Sequence, residues 1–353
     1  MKENRTYKHP HHSFKMEGVF YDNPGLLNLA GVFIKQSDDY LVSLGIFIEQ
    51  WVDSSSEITL QTSGSTATPK SILMSKQSMV NSALATGSYF KLSPGDSALS
   101  CLPFSYIAAK MMFVRAYVLG LELDCVMPSS SPLESLSKSY DFCAMVPLQI
   151  KKSIAYLNQI KTLIVGGAPL SSVLIDQLKE STSTVYETFG MTETVSHIAV
   201  KNISKSFCFF EVFPSINIAV DSRSCLLIEA PELASNTIHT NDLVRLHSKT
   251  TFEWLGRYDS IINSGGIKIS PEEIEQQLEG LIQNRFFIAS QKDTFLGSVV
   301  ILVIESANAH ESLDFETIDP LKRPKHIYYV DKFIYTFSGK VKRQETLEKL
   351  KLA

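Results

Sequence analysis

Twice in this chain an apolar, strand-like segment runs into a loop built around glycine and then into a helix. Ile58-Thr-Leu60 leads into Thr62-Ser-Gly-Ser-Thr-Ala-Thr-Pro-Lys70, and a helical stretch follows around Lys76–Phe90. Thr162-Leu-Ile-Val165 reads as a buried strand and is stopped by Gly166-Gly167. The next helix begins near Ser171 or Ser172, with Leu174, Ile175 and Leu178 on one face. Thr184-Val-Tyr186 is then a short strand that enters the turn Glu187-Thr-Phe-Gly-Met-Thr-Glu-Thr194. Strands alternating with helices predict an α/β architecture.

The pattern changes in the middle of the chain. Ser215–Val220 and Ser224–Glu229 read as consecutive strands with no helix between them, which predicts a β-rich subdomain. A boundary after Gly256-Arg257 divides the chain into residues 1–257 and 258–353. Beyond it, Ser270-Pro271-Glu272-Glu273 is a helix start with Ser270 as N-cap, Pro271 as first helical residue and Glu273 closing a capping box. Ile274, Leu278 and Leu281 give that helix its apolar face. Strands at Val299–Ile304 and His326–Val330 and a basic C-terminal helix complete a domain of about a hundred residues.

A length of 353 residues suits about two domains of roughly 150 residues each. A hydrophobic fraction of 44% and a charged fraction of 20% supply an ordinary core. The net charge of −4 gives no electrostatic footprint for nucleic acid or an anionic membrane. Cys101, Cys125, Cys143, Cys208 and Cys225 form no C-x-x-C pair and are odd in number, the usage of reduced, mostly buried thiols in the cytoplasm. The opening residues Met1–Lys8 lack the apolar centre of a signal peptide, and the longest apolar run, Val299–Ile304, is too short to span a bilayer. These features predict a soluble cytoplasmic protein. His9-Pro-His11-His12 has no Cys or carboxylate nearby and reads as a flexible histidine-bearing terminus rather than a metal site.

The two glycine-containing turns carry the chemistry. Thr62, Ser63, Gly64, Ser65, Thr66 and Lys70 supply hydroxyls, close backbone approach and a terminal cation, the groups a polyphosphate needs. The loop lacks the second glycine and Lys-Ser/Thr pair of a Walker A motif, and its composition also suits a surface turn before a helix. In the second turn Phe189 offers a face to a purine and Gly190 admits the backbone. Thr192 offers a hydroxyl to a phosphate or carboxylate oxygen, and Glu193 is a Mg²⁺ ligand of the right type. A plain capped helix start would also use these residue types, but it does not account for both turns in one chain.

Further segments complete a recognisable series: Val165-Gly-Gly-Ala-Pro169, Thr240-Asn-Asp242, Gly256-Arg-Tyr-Asp259, Ile261–Glu275 and Ser338-Gly-Lys-Val-Lys-Arg343. From about residue 58 to the end, the chain resembles the adenylate-forming acyl-CoA synthetase superfamily. The resemblance implies a large N-terminal adenylation domain and a small mobile α+β C-terminal domain. It implies two half-reactions: a carboxylate attacks the α-phosphorus of ATP to give acyl-AMP and pyrophosphate, and the thiol of coenzyme A then attacks the mixed anhydride. Mg²⁺ at Glu193 and the amine of Lys340 would neutralise charge developing on the phosphates. Thr192, Glu193 and Lys340 are thereby the catalytic residues. Thr62–Thr66, Lys70, Gly167, Ala168, Glu187, Thr188, Phe189, Gly190, Asp242 and Arg257 would bind ATP or AMP, with Asp242 on the ribose hydroxyls. Asp259 would be the hinge, and Ser264, Gly265 and Gly266 would line the pantetheine path. Arg257 also suits a structural ion pair, and Lys340 a solvated loop position.

The chain departs from the family pattern in three residues and in length. Ala67 replaces a glycine of the phosphate loop, at a cost of roughly 1–2 kcal/mol if that position is left-handed. Asn241 replaces the glycine of T-G-D, and asparagine tolerates left-handed geometry. Tyr106 stands where the family often has a gating histidine. The phosphate loop begins at residue 62, much earlier than is usual, so the first subdomain is expected to be shortened. This compactness, with Lys110–Ala116 and Met145–Gln149, resembles the short o-succinylbenzoate–CoA ligases of menaquinone biosynthesis. An aromatic diacid of that kind needs apolar walls and a donor or cation, for which Ser196, His197, Lys110 and Tyr106 are candidates. His197 equally suits a packed or exposed strand position, and Lys110 a helical surface. Another aryl or acyl acid, transfer to a carrier protein, and a degenerate nucleotide-binding module are the competing readings. The small-molecule acid, ATP and CoA are the expected partners, and a homodimer is left open.

Overall fold

The computed structural model describes residues 5–61, 71–205, 209–308, 313, 315–316, 318–336 and 341–351. These form two compact units. The first comprises residues up to Pro169, Gln177–Asn217 and Ile228–Ile238. The second comprises Leu170–Asp176, Ile218–Leu227 and the chain from His239 onward.

The first unit carries the α/β fold expected from the alternating pattern. Its strands lie in the order Lys15–Met16, Glu122–Cys125, Ser97–Ser100, Tyr140–Met145, Ile160–Val165 and Thr184–Gly190, all parallel. His197–Asn202 and Phe210–Val212 extend the sheet as antiparallel strands. The change of direction falls at the turn between Gly190 and His197. Crevices beyond the carboxyl ends of parallel strands are where ligands bind in open α/β sheets.

Two helices cover this part of the sheet, Lys76–Phe90 and Ile107–Leu119. The second is apolar on nearly every face, with Ala109 and the whole run Met111–Val118 buried. Such a helix forms only where both sides meet protein. One side meets Phe14, Phe47 and Trp51, whose rings contact Phe113 and Tyr117 at centroid distances of 5.6–5.8 Å. Each such buried aromatic stabilises the unit by roughly 1.5–3 kcal/mol. The helix carries two cations, the half-buried Lys110 and Arg115, and Arg115 is buried with its charge. The histidine segment expected as a flexible terminus is anchored to the same helix. The amide of His11 donates to Tyr117 O at 2.9 Å, and the ring of His11 is buried.

In the second unit, Ile238–Leu246 pairs antiparallel with Thr251–Arg257, setting Asp242 directly across from Arg257. Further on, Phe286–Asp293, Gly297–Glu305 and His326–Val330 form a three-stranded sheet. The helices Pro271–Leu278 and Arg343–Lys349 belong to the same part, so an α+β C-terminal region is present as expected. Two local expectations are corrected. The Ser270 hydroxyl makes no capping bond: its Oγ lies 3.1 Å from Leu255 O and 3.0 Å from Glu272 Oε2, which tether the helix start to the preceding strand. Glu273 pairs with Lys322 instead of closing a capping box. The helix also ends at Leu278, so Leu281 falls beyond it and is half exposed rather than on its apolar face.

Candidate active site

In the first unit the site residues collect where the parallel strands end. Ile160–Val165 and Thr184–Gly190 run side by side with Val165 opposite Glu187. Thr188 Oγ1 donates to Val165 O at 2.9 Å, tying the acidic turn to the Gly166-Gly167 turn. Gly167 has φ +88°, a left-handed position that favours glycine, and Ala168 follows half-buried. Glu187 is buried and paired with Lys201, 2.5 Å away on the adjacent antiparallel strand. The Lys201 ammonium also lies 5.1 Å from the Phe210 ring centroid, and Phe189 packs against that ring at 5.8 Å.

The turn after Gly190 is tight and strained. A Cβ at Gly190 would fall 2.4 Å from Ser196 O and 2.6 Å from His197 Cα, so the backbone approach itself requires glycine here. Thr192–Thr194 is a single 3₁₀ turn, and the Met191 amide donates to Thr194 Oγ1 at 2.9 Å. Val195 then adopts φ 67° and ψ −51°, while Ser196 N donates to Thr194 O at 2.7 Å. This is a γ-turn centred on a β-branched residue, a conformation that costs of order 1–3 kcal/mol. Burial of the Val195 side chain holds it in place. The turn has two consequences: Glu193 projects to solvent with no ion pair among the described residues, and Ser196 and His197 are turned inward.

Ser196 and His197 meet residues of the two covering helices. Arg115 Nη2 donates to Ser196 Oγ at 2.7 Å, and its Nε lies 3.4 Å from Thr86 Oγ1. His197 Nε2 is 3.2 Å from Thr86 Oγ1, and its Nδ1 is 3.4 Å from Ser196 Oγ. Phe90 and Phe213 stand edge-on to the imidazole at 6.3 and 5.2 Å. Burial pushes the Arg115 guanidinium down to about 9, and no carboxylate among the described residues pairs with it. Burial first, and the nearby Arg115 charge second, hold His197 well below the usual histidine range, so it is neutral. The other two acyl-site candidates lie on the helix that carries Arg115. Lys110 lies over the Phe47 ring at 5.7 Å, and Tyr106 is the half-buried N-cap of the same helix.

The sequence pattern points to Lys110 on this helix and not to Arg115. The available signal was a lone arginine inside Met111-Met-Phe-Val-Arg-Ala-Tyr-Val-Leu119, a run that no exposed helix would carry. Charged side chains are almost never fully buried without a partner.

The second unit holds another group. Asp242 is buried, and its Oδ1 accepts from Trp254 Nε1 at 2.9 Å. Arg257 lies across the strand pair, its Nη1 3.8 Å from Asp242 Oδ2, and it grips the exposed Asp259 through Nε and Nη2 at 3.0 Å each. The ion pair considered for Arg257 is thus present. Asn241 lies within a strand and needs no left-handed backbone. Its Oδ1 instead accepts from Arg223 Nη1 at 3.2 Å, and the Arg223 guanidinium stacks 5.0 Å from the Tyr258 ring. Ser264, Gly265 and Gly266 form the turn of a two-stranded ribbon, where Gly265 N donates to Leu296 O at 2.9 Å. Thr62, Ser63, Gly64, Ser65, Thr66, Ala67, Lys70 and Lys340 lie outside the described residues.

No helix among the described residues is long and apolar enough to cross a membrane. Nor do those residues assemble three or more His, Cys, Asp or Glu side chains as a metal cage. A lone exposed carboxylate such as Glu193 fits Mg²⁺, which is usually held by one or two carboxylates plus substrate phosphates and water.

Residues 48–208 match the AMP-binding enzyme family. A 2-succinylbenzoate–CoA ligase of Listeria monocytogenes is 24% identical over 341 residues, covering 86% of this chain and 72% of the relative. The structure of an o-succinylbenzoate coenzyme A synthetase from Bacillus subtilis, solved with ATP and magnesium, superimposes with a TM-score of 0.72 at 19% identity, covering 82% of this chain and 69% of that one. The crystal structure of an acyl-CoA synthetase (AMP-forming)/AMP-acid ligase II-like protein from Dyadobacter fermentans is 35% identical, with a TM-score of 0.61, and spans 92% of this chain and 98% of that one. The chain is therefore an enzyme of the AMP-forming acyl-CoA synthetase family.

Proposed function

We propose that this ligase activates o-succinylbenzoate with ATP and transfers the acyl group to coenzyme A, the thioesterification step of menaquinone biosynthesis. The observation that carries the reading is Arg115, a buried cation with no carboxylate partner among the described residues, held by Ser196 and flanked by a neutral His197 and aromatic edges. A buried charge is costly until paired. An acid with an aromatic body and a second carboxylate supplies both the apolar filling and the missing anion. The names of the curated relatives support the same substrate.

In this reading the first carboxylate attacks the α-phosphorus and pyrophosphate leaves. The coenzyme A thiol then attacks the acyl carbon of the adenylate, and AMP leaves. Thr62–Thr66, Lys70 and Thr192 bind phosphate oxygens, while Gly167, Ala168, Glu187, Thr188, Phe189 and Gly190 line the adenine side. Asp242 and Arg257 hold the ribose and adenylate. Mg²⁺ at Glu193 supplies charge neutralisation on the phosphates when bound. Lys340 adds a cation for adenylation, and Asp259 marks a hinge at the start of a small domain from residue 258. Ser264–Gly266 then border the pantetheine arm.

Pyrophosphate exchange with o-succinylbenzoate, benzoate and succinate tests the assignment. Exchange with o-succinylbenzoate, followed by coenzyme A-dependent AMP release, is expected. Equal exchange with benzoate would remove the role of a second carboxylate. No exchange with any acid would leave a nucleotide-binding module without ligase activity.

A further inference from the structure

Asp242 is oriented by a neighbour that no motif includes. The strands Ile238–Leu246 and Thr251–Arg257 are in regular antiparallel register at Asp242↔Arg257 and Leu243↔Gly256, but the next pair is Val244↔Trp254. Leu255 is the extra residue of a β-bulge. Because side chains alternate along a strand, one extra residue moves everything before it to the other face of the sheet. Without the bulge Leu255 would stand across from Val244, and Trp254 would face away. With it, Trp254 shares a face with Val244, Asp242 and Arg257, and its indole N–H reaches Asp242 Oδ1 at 2.9 Å.

An indole nitrogen only donates, so the carboxylate oxygen it meets is committed as the acceptor. The terminal torsion of an aspartate is broad, and a carboxylate without a directional donor swings easily. Here the Trp254 bond fixes that rotation. It places Oδ2 on the Arg257 side, 3.8 Å from Nη1, while the Asp242 amide is engaged by Thr240 Oγ1 at 3.0 Å. A carboxylate fixed before its ligand arrives loses less freedom on binding.

We infer that Trp254 is a positioning residue for ribose recognition: its N–H sets the Asp242 carboxylate so that the enzyme distinguishes a ribonucleotide from its deoxy analogues. The inference rests on the adenylating function proposed above, within which Asp242 meets the ribose.

Calorimetric titration of the full-length enzyme with AMP, 2′-deoxy-AMP and 3′-deoxy-AMP tests it without needing the acid substrate. The wild type is expected to prefer AMP over one or both analogues. Trp254→Phe, which keeps an aromatic ring and removes the donor, lowers that preference by about tenfold, the worth of one hydrogen bond to a charged group. Affinity for the deoxy analogue stays within about twofold, which a merely structural loss would not spare. Trp254→Leu gives the same loss of preference if the donor is the cause, and serves where the Phe variant folds poorly. In an Asp242→Ala background Trp254→Phe changes the preference no further. A Trp254→Phe enzyme that keeps the wild-type preference, or that binds every nucleotide more weakly by one factor, overturns the inference alone. A wild type that binds no adenine nucleotide overturns the adenylating reading as well.

Discussion

Arg115 and Ser196 meet at 2.7 Å although 81 residues separate them in the chain. The arginine comes from the buried helix Ile107–Leu119, and the serine from the far side of a strained γ-turn. Ser196 is thus a neutral acceptor for a charge that has no anion among the described residues. The arrangement leaves the protein carrying an electrostatic cost in its resting state, which a dicarboxylate substrate would relieve on binding.

That cost makes Arg115→Met informative in two measurements at once. Replacing a buried charge by an apolar side chain of similar length is expected to raise stability by about 1–3 kcal/mol, read from the urea midpoint. The same change is expected to lower kcat/KM for o-succinylbenzoate roughly 100-fold, because the substrate carboxylate loses its partner. A variant that is both less stable and fully active would assign Arg115 to the scaffold.

The same site separates what the sequence could reveal from what it could not. The turn that follows Gly190 and the pairing that sets Asp242 across from Arg257 are legible because each is dictated by residues within a few positions in the chain. Gly190 is the clearest case, since the approach of Ser196 O leaves no room for a Cβ. The surroundings of Arg115 were not legible, because they depend on what three distant segments place around it. Ser270 and Pro271 do occupy the N-cap and first-turn positions, and only the capping bond of the Ser270 hydroxyl is missing, for a smaller reason of the same kind. Leu255 O, fifteen residues upstream, lies within bonding reach of the hydroxyl that the local pattern assigns to a cap. The side chain of Asn241 likewise acquires its use from Arg223, eighteen residues away in sequence.

His197 gives the fold a pH dependence whose direction is fixed by burial. Its folded-state pKa lies well below the ordinary value of 6.5, so the unfolded chain takes up the proton first. Its contribution is fully present above pH 6.5 and is lost as the pH falls below that value, with a slope of up to about 1.4 kcal/mol per pH unit. His197→Gln is expected to flatten the stability profile below pH 6.5 relative to the wild type. Parallel profiles for the two proteins, measured by urea unfolding, would mean that His197 is protonated without hindrance.

Gly190→Ala tests whether the tight turn sets the acyl site. The added Cβ meets backbone atoms of Ser196 and His197 rather than a flexible side-chain end, so the strand pair must open. A loss of about 1–3 kcal/mol in stability is expected. Displacement of Ser196 and His197 should raise KM for the acid well above any change in KM for ATP. Equal changes in both would indicate that the turn serves the fold as a whole rather than the acyl side.

Ser196→Ala makes the converse prediction to Arg115→Met, and the pair of variants closes a cycle. Removing the hydroxyl deprives the buried guanidinium of the acceptor at 2.7 Å, leaving Thr86 Oγ1 at 3.4 Å and Met112 Sδ at 3.7 Å. Leaving a buried charged donor without a partner costs about 1–3 kcal/mol. In an Arg115→Met background there is no donor to strand, so Ser196→Ala is expected to cost less than about 0.5 kcal/mol. The double variant should therefore be more stable than Ser196→Ala alone by more than Arg115→Met gains in the wild type. Additive effects across the cycle, measured by urea unfolding at pH 7.5, would show that the contact carries no coupling and that Ser196 is held by the γ-turn alone.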